Sequence, residues 1–131
     1  MLKVRSNPQN VAQLEPFLEE VLSSYKVTPD KYGEILVSLT EAVANAIIHG
    51  NCNDESKTVE VECRTKGNMV AFRVSDQGCG FDPNCIADPT CGENLVKIGG
   101  RGVFLMRELC DKLQFLNNGR TVEMKFKILS A

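Results

Sequence analysis

Between Asn10 and Tyr25 the apolar residues Val11, Leu14, Phe17, Leu18, Val21 and Leu22 recur at three- and four-residue steps. That spacing predicts an amphipathic helix. Upstream, residues 2–5 read as a short strand, and Pro8 sits where a first helical turn tolerates proline. Thr28 is a good N-cap, followed by Pro29 and by Asp30, whose charge suits the positive end of a helix. A longer helix is therefore expected from there to about His49, stopped by Gly50 and Asn51. Leu36, Leu39, Val43 and Ile47 form its expected core seam.

The period then changes. From Thr58 to Thr65, Val59, Val61 and Cys63 alternate with Glu60, Glu62 and Arg64, which predicts a half-buried strand. Gly67-Asn68 reads as a turn, and Met69 to Val74 as the second arm of a hairpin. Glycines 78, 80, 92, 99 and 100 and prolines 83 and 89 mark a long irregular loop over 77–100. Loops of that length in compact domains are usually functional. A helix is expected from about Gly102 to Lys112, then a last hairpin of Leu113–Leu116 and Thr121–Leu129 around Asn117-Asn118-Gly119. Helices segregated from hairpins predict an α+β two-layer sandwich, a mixed and mainly antiparallel sheet covered on one face by helices. Residues 1–131 read as a single domain.

Composition removes several function classes. The net charge is −2, from 15 basic and 17 acidic residues, so the whole chain carries no electrostatic footprint for nucleic acid or an anionic membrane. No apolar run approaches the ~20 residues that span a bilayer. Lys3 and Arg5 are not followed by the apolar stretch of a signal peptide, so a cytoplasmic location is expected. The six cysteines contain no CxxC pair and the chain has one histidine, which argues against a zinc site. Reduced thiols are the expectation for all six.

Three segments carry candidate chemistry. In Glu41-Ala-Val-Ala-Asn45-Ala-Ile-Ile-His49, residues 41, 45 and 49 fall on one helical stripe, drifting about 40° per step and flanked by Ala42 and Ala44. The amide oxygen of Asn45 is a hard donor suited to Mg²⁺, and the Glu41 carboxylate can accept a proton. A solvated polar face would give the same pattern. In Asp76-Gln-Gly78-Cys-Gly80, an aspartate at a strand end can accept a hydrogen bond from an exocyclic amine, and the glycines let backbone approach a flat ring. A plain turn is the alternative. Gly99-Gly100-Arg101-Gly102 opens a helix whose free N–H groups would suit phosphate, or it is simply a flexible connector.

Taken together, in this order and spacing, the three segments resemble the N box and the two glycine boxes of the GHKL ATPases. Gyrase, a heat-shock chaperone, histidine kinases and mismatch-repair ATPases belong to that superfamily. Residues 41–50, residues 99–111 and the Gly119-Arg-Thr121-Val-Glu-Met-Lys ending are similar to the anti-sigma factor serine kinases in particular. His49 is the only histidine and lies within the nucleotide-site helix, so a complete histidine kinase with its own phospho-acceptor is excluded.

The resemblance implies an ATP-dependent protein serine kinase with Mg²⁺ as its metal. Asn45 would ligate the metal and Glu41 would be the general base. Asp76 would read the adenine amino group, with Gly78 and Gly80 shaping the adenine floor. Residues from about Asp82 to Ile98 would form a lid. Gly100 and Gly102 would contact phosphates, Arg101 would add charge, and Thr121 would support the adenine end. For His49, contact with the nucleotide or substrate and a structural place at the helix end both stay open. The implied substrate is an anti-sigma antagonist protein, and a sigma factor is the second implied partner. Neither nucleic acid nor membrane is expected as a direct partner, and a homodimer fits the resemblance. The alternatives are an ATP-bound regulatory module without transfer and a detached histidine-kinase catalytic domain.

Overall fold

Residues 1–78 and 106–128 are described by a computed structural model. The predicted loop beyond Gly78, the lid, Gly80, Gly100, Arg101, Gly102 and Leu129 lie outside the described residues. Strand β1 is Leu2–Arg5. A 3-10 segment, Pro8–Gln13, leads into helix α1, Leu14–Leu22. Helix α2 is Pro29–Asn45, continued by one π-helical turn, Ala46–Gly50. The strands β2 (Thr58–Lys66), β3 (Met69–Ser75), β4 (Lys112–Leu116) and β5 (Thr121–Lys127) complete the described elements, with residues 106–109 helical just before β4.

The five strands form one sheet in the order β1-β2-β3-β5-β4, and every described pairing is antiparallel. Alternation at period two sends Val59, Val61, Phe72, Val74, Met124 and Phe126 to the face that the helices cover. Leu14, Leu18 and Leu22 of α1 and Ile35, Leu39 and Val43 of α2 complete the same buried cluster. At its centre Phe72 and Phe126 pack edge to face, centroids 6.3 Å apart.

Several elements differ from expectation. The first helical stretch is 3-10 before it is α, because Pro8 and the Asn7 cap fix a tight opening turn in which Asn7 Oδ1 accepts from Gln9 N. Thr28 does cap α2, its hydroxyl accepting from Lys31 N. The core seam of α2 is Ile35, Leu39, Ala42 and Val43, while Leu36 is only half-buried. Lys112 is the first residue of β4 rather than the end of a helix, because Asp111 N already bonds Lys125 O across the sheet.

The α2 ending is the most consequential departure. Asn51 N bonds Ala46 O and Asn53 N bonds Ile47 O, so the helix widens at its end instead of closing as an α-turn. The wider turn takes His49 off the Glu41–Asn45 stripe and buries it, leaving 8% exposed. Burial pushes the imidazole below its usual pKa. Cys52 and Asn53 follow with left-handed backbone, φ 54° and 59°. Cys52 is disulfide-bonded, whereas Cys63 and Cys110 are free, which overturns the expectation of six reduced thiols. Spacing rules alone do not reveal such a bond. No helix among the described residues is long and apolar enough to cross a membrane.

Candidate functional site

The end of α2 and the end of β3 meet at one side of the sandwich. An open cleft of about 390 Å³ lies between them, lined by Ala42, Asn45 and Ala46 from the helix and by Val74, Asp76 and Met106 among others. Phe115 of β4, Val122 of β5 and Arg120 of the turn between them complete the lining. Asn45 and Asp76, far apart in sequence, therefore share one cavity. Its walls are mainly apolar and its two distinctive polar groups stand at opposite sides, an arrangement suited to a flat heteroaromatic ring.

Asp76 is held firmly. Its backbone N–H donates to Arg120 O at 2.8 Å, and its Oδ1 accepts from Gly78 N at 2.8 Å. No donor among the described residues reaches Oδ2. Among the described residues, that oxygen is left to accept a hydrogen bond from a ligand. Burial raises the Asp76 carboxyl to about 6, against smaller opposing effects of the Gly78 amide and the nearby Arg120 and Lys57 charges. A desolvated carboxylate with one unused acceptor is a poised receptor for an exocyclic amine.

Asn45 is half-buried at the cleft wall, and its side-chain amide has no hydrogen-bond partner among the described residues. The oxygen is thus available to a hard cation that also touches phosphate oxygens. No group of three or more His, Cys, Asp or Glu among the described residues could cage a metal. A Mg²⁺ here would depend on one amide oxygen, phosphates and water, which is how this ion is commonly held at nucleotides. Glu41 lies one turn earlier on the same stripe, about 6 Å along the axis, and does not line the described cleft.

Thr121 is not among the residues that line the described cleft. It pairs with Ser75 in the register of β3 and β5 and points to the outer sheet face. Its Oγ1 lies 3.0 Å from Ser75 Oγ and accepts from Asn117 Nδ2 at 3.1 Å. The cleft is instead lined by its neighbour Arg120.

Two residues that pattern reading treated as a helix stop shape the site. A Cβ on Gly50 would strike the Asp76 carboxylate, and a Cβ on Gly78 would strike the Gly50 carbonyl. Both glycines are required by close approach of two backbones. Asn51 is 1% exposed and uses its amide fully. Nδ2 donates to Ser6 Oγ at 2.9 Å and to Thr58 O at 3.1 Å, and Oδ1 accepts from Gln77 N at 2.7 Å. Gln77 Oε1 returns a bond from Thr58 N at 2.7 Å. This clasp ties the helix end bearing Asn45 to the strand end bearing Asp76. The one signal for it in sequence was an asparagine directly after His-Gly, which is equally the pattern of an ordinary helix stop.

Residues 4–126 match the family described as the histidine kinase-like ATPase domain. Over 128 residues the chain is 30% identical to an anti-sigma F factor of Clostridium perfringens, covering 90% of this chain and 80% of that protein. It is 31% identical over 124 residues to an anti-sigma F factor of Anoxybacillus flavithermus, covering 87% and 74% respectively. A serine-protein kinase RsbW of Listeria innocua is 25% identical over 130 residues, covering 94% and 83%. With the helix-end amide and the strand-end carboxylate meeting in one cleft, and the match extending over nearly the whole sequence, the chain belongs to the histidine kinase-like ATPase domain family.

Proposed function

We propose that the protein is an ATP-dependent protein serine kinase of the anti-sigma type, phosphorylating a serine of an anti-sigma antagonist protein and binding a sigma factor. The observation that carries this reading is the shared cleft of Asn45 and Asp76, with Asp76 Oδ2 open to an incoming donor. The names of the relatives support the choice of reaction and partners.

Adenine lies between the apolar walls, and its amino group donates to the Asp76 carboxylate. Gly78 keeps the strand end thin enough for the ring to approach, and Gly80, outside the described residues, would continue that floor. Asn45 would hold Mg²⁺ beside the phosphates, where the ion would neutralise charge on the nucleotide. Gly100, Arg101 and Gly102, also outside the described residues, would contact the phosphates, as the resemblance implies. Glu41, on the same helical stripe as Asn45, accepts the proton of the attacking serine hydroxyl, whose oxygen forms the new bond to the γ-phosphorus as ADP leaves. Thr121 supports the adenine end indirectly, through Ser75 at the end of the strand that carries Asp76.

A non-catalytic, ATP-bound regulatory module is the second reading, favoured by the position of Glu41 outside the described cleft lining. One experiment separates the two: radiolabelled ATP with a candidate antagonist protein, comparing wild type with Glu41→Ala. Retained nucleotide binding with transfer reduced by about 10²–10⁴ is expected for a lost general base. Equal phosphorylation by both proteins removes Glu41 from its role. Nucleotide binding without transfer by wild type favours the regulatory module.

A further inference from the structure

Charge is distributed unevenly between the two layers. Residues 8–57, which carry the helices, hold eight acidic residues against three basic ones. The outward sheet face is the reverse. Its acids are Glu60, Glu62 and Glu123, and each already has a cation: Lys3 at 3.3 Å, Arg64 at 3.8 Å and Arg73 at 2.6 Å respectively. Arg5 stands at the cleft end, and most of the other cations gather at the opposite end of the sheet, where β5 finishes and β4 begins.

At that end Lys112 stands directly opposite Lys125 in the β4–β5 register. Like charges facing each other across a ladder destabilise a sheet. Lys125 has only a 3.7 Å contact with Glu123, whose other oxygen Arg73 holds, and Lys112 and Lys127 have no ion-pair partner among the described residues. Round the corner, a pocket of about 280 Å³ is lined by Lys26, Val27, Thr28, Lys31, Lys127 and Ile128. The acids nearby are partly engaged: Glu34 pairs with Lys31 at 3.3 Å, and Asp111 Oδ2 accepts from Lys127 N at 2.7 Å. Asp30 in the first turn of α2 is the third. The lysines still outnumber them. A local conflict that folding does not require is a common mark of a functional surface.

The geometry points to this lysine end as a docking surface for an acidic segment of a partner protein, one carboxylate side chain entering the pocket between Lys26, Lys31 and Lys127. A protein is favoured over nucleic acid on three counts. No aromatic side chain lines the pocket to stack a base. The cations are lysines, without the arginine forks that grip phosphate bidentately. The acidic helical layer and the net charge of −2 repel a long polyanion but not a short acidic segment. From Thr121, beside the cleft end of the sheet, to Lys127 is about 20 Å along β5, so a segment bound here leaves the nucleotide cleft open. The surface stands independently of the kinase reading.

The test is an amide NMR titration of the full chain with an acidic peptide of about ten residues containing Glu and Gly, its Gln-substituted counterpart, and a DNA single strand of about twenty nucleotides. Saturable shifts at residues 26–31, 112 and 125–127 are expected with the acidic peptide alone, weakening as salt rises from about 0.05 M to about 0.3 M. The K112Q/K125Q/K127Q variant should bind at least about tenfold more weakly while keeping wild-type melting behaviour, because it removes a like-charge pair. Lys3→Gln, at the far edge of the sheet, should bind as wild type does. Absence of shifts, shifts confined to other residues, unchanged affinity in the triple variant, or DNA bound as tightly at the same residues would each overturn the inference.

Discussion

The two ends of the sheet present opposite kinds of polar surface. At the cleft end, Asn51, Asp76, Gly50 and Gly78 are packed against one another, and nearly every donor and acceptor is spent. At the other end, Lys112 and Lys127 project into solvent with no ion pair among the described residues. The first surface works through position and the second through charge. Substitutions at the cleft end should therefore be judged by geometry, with losses that salt does not alter. Those at the lysine end should cost little stability and act through ionic strength.

Gly78→Ala should have the largest effect. The added Cβ meets the Gly50 carbonyl, and neither backbone can yield without moving Asp76. Destabilisation of about 3 kcal/mol or more is expected by chemical denaturation, as in an overpacked core. Gly33→Ala is the internal comparison, since nothing lies within 4 Å of its Cβ position and it sits in α2. That variant should be neutral, or more stable by roughly 0.5–1 kcal/mol. If the two alanines behaved alike, close backbone approach would not be what fixes the cleft.

Asn51→Ala should come next. It strands the Gln77 N–H, the Thr58 carbonyl and the Ser6 hydroxyl, all bonded to one buried amide. A loss of about 2–3 kcal/mol follows from leaving such groups unpaired. Ser6→Ala removes one of those bonds, together with the donation from Ser6 Oγ to Lys57 O, and should cost about 1–2 kcal/mol. Nucleotide affinity, measured calorimetrically where both variants remain folded, should drop for Asn51→Ala and hold for Ser6→Ala. Equal affinities would mean that the clasp stabilises the chain without aligning the cleft.

The contrast also explains what the sequence disclosed. Strands, hairpins and the α2 start were legible because period-two alternation and the Thr28-Pro29 cap act locally. Asn45 and Asp76 were legible because their spacing to nearby glycines is specific, and they do line one cleft. The π-turn was not, because it depends on Gly50 and Asn51 packing against a strand end some 25 residues later, as the Asn51–Gln77 bond shows. A regular period therefore carried His49 onto the wrong face. In β5 one residue of register decides whether a side chain such as that of Thr121 lies on the helix-covered face or on the outer one, and alternation alone does not fix it. The lysine end escaped because whole-chain charge averages over two layers of opposite sign.

The effect on stability that also reaches binding comes from the ionisation of Asp76. Its folded-state carboxyl titrates at about 6, above the ordinary value near 4. Between those values the native state keeps a proton that the unfolded chain has released. This contribution to stability is therefore present at low pH and is lost as pH rises from about 4 to about 6, by roughly 3 kcal/mol. His49 acts oppositely, since a pKa lowered by burial makes acid destabilising below about 6.5. The difference between wild type and Asp76→Asn isolates the aspartate. Measured by urea titration, the two should be similar at pH near 4, with the variant the more stable above pH ~6.5. Nucleotide affinity should run the other way, rising with pH through about 6 in wild type and falling by about a hundredfold or more in the variant, because an ionised acceptor is what the adenine amine needs. Parallel stability curves would show that the carboxyl is not desolvated, and unchanged affinity would remove Asp76 from the adenine site. The charge that weakens the fold at neutral pH would then be the same charge that reads the ligand, which is how a binding site comes to be held at a cost to stability.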